Sequence, residues 1–249
     1  MSDIAQADVP ANKDLADRKA ACEPTFDEKV NGLMRFIHFE PLIRELDYQV
    51  LLYCTERKGL SDIEEHLASL PEFKAATRDQ YSLITELVHH HGLEFFELDE
   101  AGNPVGEADK AGLTENEVDD LVAGYAYRTT EAGLEVAARM DPARRLADLL
   151  EAEPHRRDAY LALLEFLQEA HSFAQVDGFL RGCNVAELAR QAGDGGVQPS
   201  VFVDKLERAG VIIYDGGWQA TEAGRAALAQ LSAEAGRAAN AKAMTPVHA

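Results

Sequence analysis

The chain has 249 residues, 46% of them apolar, which is an ordinary globular composition. Its 44 acidic and 24 basic side chains leave a formal charge of −20, an excess that repels nucleic acid and anionic membrane. Cys22, Cys54 and Cys183 are widely spaced with no CxxC pair, the N-terminus lacks an apolar leader, and no window nears the roughly 20 apolar residues of a membrane span. A cytoplasmic protein is therefore expected, without disulfide scaffold or zinc ribbon.

Residues 1–24 are polar and are expected to be flexible. Thr25-Phe-Asp-Glu28 then reads as a capping box. Phe26, Val30, Leu33, Met34 and Ile37 follow at helical spacing, giving an N-terminal helix over 25–40. That helix either packs on its own domain or serves as the arm of a homodimer. Pro41 opens a first domain over 41–140. Leu42, Ile43, Leu46, Val50, Tyr53 and Cys54 trace the buried stripe of its first helix. Ser61-Asp-Ile-Glu64 reads as the box of a second helix and Thr77-Arg-Asp-Gln80 as that of a third, with Tyr81, Ile84, Leu87 and Val88 inward.

Gly92 turns the chain into a strand, Leu93 to Leu98, and Asp99 to Asn103 is a turn. An acidic insert over 99–124 delays the return strand, Tyr125 to Arg128, and its Thr114-Glu-Asn-Glu117 box predicts a short internal helix. Thr130 begins the next helix. Asp141-Pro142 begins a connecting helix over 141–154, since Asp caps well and Pro suits the first turn.

A second domain is expected over 155–235. Tyr160, Leu163, Leu164 and Leu167 mark its first helix, and Ser172-Phe-Ala-Gln175 caps a second with Val176, Phe179 and Leu180 inward. Asn184 to Gln191 is a further helical piece and Gly193 to Gly196 a loop. Pro199 to Arg208 supplies the third helix, with Phe202 and Leu206 in the places of Ile84 and Val88. Val211 to Tyr214 and Trp218 to Ala220 form a hairpin around Asp215-Gly-Gly217, and a last helix starts at Thr221. Residues 236–249 read as a flexible tail.

In both halves a helix, a Gly corner (Gly92, Gly210), a two-stranded ribbon and a Thr-Glu-Ala-Gly helix start (Thr130, Thr221) follow in the same order. That order resembles the back half of winged helix-turn-helix domains over roughly residues 42–235, at the level of the superfamily. The resemblance implies a mostly α fold with small β-wings, as two tandem winged helix-turn-helix domains behind an N-terminal helix.

Catalytic chemistry is not indicated. No P-loop, HExxH or GxSxG pattern occurs, and no cofactor is expected. His89-His90-His91 cannot close on one metal ion, because consecutive helical residues point about 100° apart. They suit a helix C-terminus, and no metal is expected.

Two functions follow from the resemblance and the charge. From Glu94 to Leu121 ten acids face one cation, Lys110. A wing so charged suits a non-enzymatic adaptor or regulator that meets a basic protein surface through Glu107, Asp109, Glu115, Glu117, Asp119 and Asp120. Acidic tandem proteins of this kind resemble the kleisin-binding subunits of bacterial condensins. The alternative is a DNA-binding transcriptional regulator. Its contacts would be Arg78 and Gln80 in the first domain and Ser200, Lys205, Arg208 and Trp218 in the second, the better reader of the two. Both third helices are close to neutral, which weakens that alternative.

Overall fold

The structure, a computed structural model, describes residues 23–38, 41–182 and 198–243. Expectations for residues 1–22, Cys22, Cys183, the Asn184 to Gln191 helix, the Gly193 to Gly196 loop and the end of the chain past 243 lie outside the described residues. The rest is mostly helical with short antiparallel strands.

Helix α1 (Phe26–Ile37) opens at the Thr25 box, where the Glu28 carboxylate accepts from the Thr25 backbone N–H at 2.8 Å. It packs on α2 (Pro41–Tyr53) and buries Val30, Leu33 and Ile37. Strand β1 (Lys58–Gly59) leads into α3 (Leu60–Ser69), a 3₁₀ turn (Pro71–Ala75) and α4 (Gln80–His89). Two helix starts differ from expectation. Gly59, not Ser61, caps α3, because pairing of β1 holds the chain extended up to that point and Asp62 takes the Gly59 N–H. Asp79, not Thr77, caps α4, accepting from the Ser82 N–H at 2.8 Å; Asp is the stronger capping residue. Tyr81, expected inward, is 58% exposed, because the buried stripe runs through Leu83, Ile84 and Leu87 and leaves Tyr81 to one side.

Strand β2 (Leu93–Leu98) pairs antiparallel with β3 (Gly124–Thr129), and β1 adds to the far side of β3, giving the order β1-β3-β2. Between β2 and β3 lie α5 (Glu107–Lys110) and α6 (Glu115–Leu121). Helix α7 (Glu131–Arg139) then closes the first hydrophobic core with Val136 and Met140.

Helix α8 (Pro142–Ala152) belongs to a second core through Leu146 and Leu150. With it stand α9 (Arg157–Phe166), α10 (Phe173–Gly182), α11 (Pro199–Arg208), the hairpin of β4 (Ile212–Tyr214) and β5 (Trp218–Ala220), and α12 (Glu222–Ala243). Helix α12 continues past Gly236, where a loose tail was expected, because the Ala-rich sequence favours helix.

The two halves share one bonding scheme. The Thr129 N–H donates to Cys54 O at 2.7 Å, and the Ala220 N–H to Leu167 O at 2.6 Å. Tyr53 stacks on His66 at 4.1 Å as Phe166 stacks on Phe179 at 4.2 Å. Lys58 faces Tyr127 across the sheet, and His171 forms the matching bridge to Trp218. The Thr130 N–H donates to Gly92 O at 3.1 Å, and the Thr221 N–H to Val211 O at 3.0 Å. Gly92 therefore corresponds to Val211, and the residue at the place of Gly210 is His91. Both stand in the left-handed region, with φ of 62° and 74°. By the same register Phe202 and Leu206 match Leu83 and Leu87, one residue earlier than their expected counterparts.

The shared Thr-Glu-Ala-Gly has a steric reason. Each Thr hydroxyl accepts from the Gly N–H at 3.0 Å and donates back to the corner, to His91 O at 2.6 Å or Gly210 O at 2.9 Å. That folds the helix start onto the corner carbonyl. A Cβ on Gly133 would stand 2.3 Å from Gly92 O, and one on Gly224 2.1 Å from Val211 O.

Gly133→Ala and Gly224→Ala are each expected to destabilise by roughly 1–3 kcal/mol, because the clash is with backbone. His91→Gly should at least preserve stability, since it relieves a left-handed side chain costing about 1 kcal/mol. Denaturant midpoints check all three, and a glycine-to-alanine variant as stable as the parent would refute the close approach. Cys54 is buried, and burial pushes its thiol up to about 12. It should resist thiol reagents until the chain unfolds.

Candidate interaction surface

Strands β2 and β3 extend as a ribbon beyond the core, from Leu93 paired with Thr129 to Leu98 paired with Gly124. At the tip Asp99 accepts from the Asn103 N–H at 2.8 Å, which closes the turn and holds the Asp99 carboxyl below the usual range. The insert is then built by its own carboxylates. Asp109 takes the Gly106 N–H at 2.8 Å and starts α5. Glu117 takes both the N–H and hydroxyl of Thr114 at 2.8 Å and starts α6; the backbone bond leads in lowering its pKa. Lys110 on α5 is ion-paired with Glu97 on β2, which fixes the insert to the ribbon, and Glu107 lies 3.7 Å from the same ammonium.

All six expected contact acids, Glu107, Asp109, Glu115, Glu117, Asp119 and Asp120, are exposed and lie in this one excursion. They do not share one role. Asp109 and Glu117 hold caps, whereas Glu115, Asp119 and Asp120 form no ion pair among the described residues.

The residues singled out for nucleic acid do not converge. Arg78 and Gln80 stand at the start of α4 in the first half; Ser200, Lys205 and Arg208 lie on α11 and Trp218 on β5 in the second. The cations are already engaged. Arg78 is paired with Glu86, Lys205 with Glu153, and Arg208 with Asp204 at 3.0 Å. Trp218 is partly buried and packs edge-on against Tyr214 at 5.5 Å.

The second hairpin also touches the first half. Asp215 at its tip is 3.2 Å from Lys74 of the first half. Ile213 and Tyr214 line a cavity of about 220 Å³ together with Pro71, Glu72 and Arg44. Beneath it Arg145 of α8 forms a two-pronged pair with Glu45 of α2, at 2.7 and 2.8 Å, and donates to Arg208 O at the end of α11 at 2.9 Å. Burial leads in raising the Glu72 and Glu207 carboxyls beside this junction.

Sequence reading did not find this junction, since Glu45 and Arg145 lie 100 positions apart with no motif between them. It also missed Glu153, which accepts from the Tyr160 hydroxyl at 2.7 Å and from Arg156 at 2.8 Å besides Lys205. Among the described residues no cluster of three His, Cys, Asp or Glu is placed to hold a metal ion.

The Glu153 carboxyl is pushed up by burial, but its bonds to Lys205, Tyr160 and Arg156 outweigh that and leave it lowered. A lowered carboxylate stabilises fully above the ordinary value of 4.5 and loses its contribution as pH falls through the folded value. Glu153→Gln should therefore lower stability at neutral pH and flatten the fall of stability as pH drops from 4.5 to the lowered folded value, read from thermal melts across pH. An acid limb unchanged by the substitution would refute the role.

Comparison with known protein families, curated proteins and solved structures found no match.

Proposed function

We propose that the chain is a non-enzymatic adaptor or regulator of two tandem winged helix-turn-helix domains, acting through protein–protein contact at the enlarged acidic wing of the first. The repeated corner, ribbon and helix start support the architecture. The observation that carries the function is the contrast between the two wings. The second is turned onto the first half through Asp215, Ile213 and Tyr214, with the cations of α11 in ion pairs. The first projects an insert whose exposed charge is acidic, including Glu115, Asp119 and Asp120.

Phosphate contacts supply most of the affinity of a DNA reader. A wing of this sign opposes them, and freeing Lys205 would take from the largely buried Glu153 one of its two cations, leaving only Arg156. An exposed acidic wing instead steers a basic protein, raising association rates more than it tightens the final complex.

Affinity for nonspecific duplex DNA at low salt tests the reading. Binding weaker than about 100 μM is expected. A micromolar Kd with a steep salt slope, abolished in a Lys205→Ala/Arg208→Ala variant, would establish the DNA-binding regulator instead. Glu115→Gln/Asp119→Asn/Asp120→Asn should leave the denaturant midpoint unchanged, because none of the three holds a cap or an ion pair. It should slow association with a basic partner and flatten its salt dependence.

A further inference from the structure

The two faces of the first wing differ. On one, Phe96 of β2 lies between two guanidinium groups, Arg57 at 5.8 Å and Arg128 at 5.4 Å from its ring centre. Arg128 is also bonded to Glu94 at 2.8 Å, so this face is complete within the chain. On the other, side chains alternate from the core outward through Leu93, Phe95 and Glu97 on β2 and Thr129, Tyr127 and Tyr125 on β3. Tyr127 is buried. Phe95 and Tyr125 are 43% and 47% exposed, with ring centres 5.6 Å apart. Phe95 is equally 5.6 Å from Tyr127. Burial leads in raising the Tyr127 hydroxyl.

Two large aromatic side chains, Phe95 and Tyr125, thus lie open side by side on one patch, which soluble surfaces seldom leave unused. No cation of the described residues covers either ring. The outer end is acidic, with two carboxylates, Glu97 and Glu107, sharing the one ammonium of Lys110.

We propose that this face is the docking site for an arginine-bearing basic segment of a protein partner, its guanidinium groups lying on Phe95 and Tyr125 and its charge meeting the acidic outer end. The inference rests on the adaptor reading and names the chemistry of its partner. The ribbon's other face supplies the precedent, because there the chain's own arginines cover Phe96. Arginine suits the place better than lysine. Its planar, weakly hydrated guanidinium stacks on rings, while an ammonium keeps its water. The arrangement has the form of an interface centre, aromatic anchors inside a polar rim.

The test uses the full chain with fluorescein-labelled nona-arginine and nona-lysine as probes, by fluorescence anisotropy at about 50 and 300 mM salt. Wild type should prefer nona-arginine, by about fivefold at the higher salt, where screening leaves ring contacts dominant. Phe95→Thr/Tyr125→Thr should erase that preference while keeping the low-salt affinity for nona-lysine. Glu115→Gln/Asp119→Asn/Asp120→Asn should do the reverse, weakening both peptides and keeping the preference. If the double aromatic variant does not fold, Tyr125→Thr alone, at a half-exposed strand position, should reduce the preference by about twofold.

An unchanged preference in the aromatic variants would overturn this inference and leave the adaptor reading in place. Failure of wild type to bind either peptide would overturn both. Binding of an oligo-dT strand that the aromatic variant loses would make the face a stacking platform for single-stranded nucleic acid, and would likewise overturn the proposal.

Discussion

Each half depends on a threonine folded back onto a left-handed corner. Thr130 and Thr221 use one hydroxyl twice, accepting from the helix that follows and donating to the corner between the third helix and the ribbon. That single group joins elements far apart in sequence in the first half and near in the second. The Thr130 N–H reaches Gly92 O, and the whole wing excursion lies between them. With both ends of the ribbon pinned, an insert at its tip leaves the core undisturbed. Leu93 and Thr129 stay paired at the core end whatever the chain does beyond Leu98 and Gly124.

The same constraint selects the residues around it. A helix pressed against a carbonyl leaves no room for a Cβ three residues after the Thr, so Gly133 and Gly224 follow. The corner itself needs a positive φ, which Gly210 meets without cost and His91 meets against the usual preference of a side chain. His91 is held there by α4 before it, capped through Asp79, and by the Thr130 hydroxyl on its carbonyl. Local preference yields to a geometry that its neighbours enforce.

Parts of this could be read from the chain. Thr130, Thr221 and the Thr114–Glu117 pair announce helix starts because the side chain and the amide it serves are neighbours in sequence. The strand from Leu93 to Leu98 was legible from alternation. Other features carry no such signal. Strand β1 is two residues long and exists only because β3 lies beside it. Gly92 looked like the corner because glycine ordinarily fills it, and only the hydrogen bonds move that role to His91. Tyr81 read as inward because it stands three positions from Ile84, but the buried stripe runs through Leu83, Ile84 and Leu87 and leaves Tyr81 to one side of it. The Glu45–Arg145 pair and the ring contacts of Phe95 depend on which surfaces meet, and a pattern of period 2 or 3.6 holds no record of that.

Two copies of one bonding scheme allow a division of duties that a single copy does not. In the second, the hairpin tip, the end of α11 and the buried carboxylates form the joint with the first half, and Arg145 secures it by bonding Glu45 and Arg208 O together. In the first, the equivalent ribbon is longer, keeps one aromatic face covered by Arg57 and Arg128, and leaves the other open beneath an acidic insert. Capping carboxylates such as Asp109 and Glu117 are tied to backbone amides and hold the insert in shape. Glu115, Asp119 and Asp120 form no ion pair among the described residues and stay exposed, so under the proposed function theirs is the field that an approaching opposite charge would meet. Shape and attraction are thereby assigned to different acids of one wing, so charge can vary at the second set without cost to the fold that presents it.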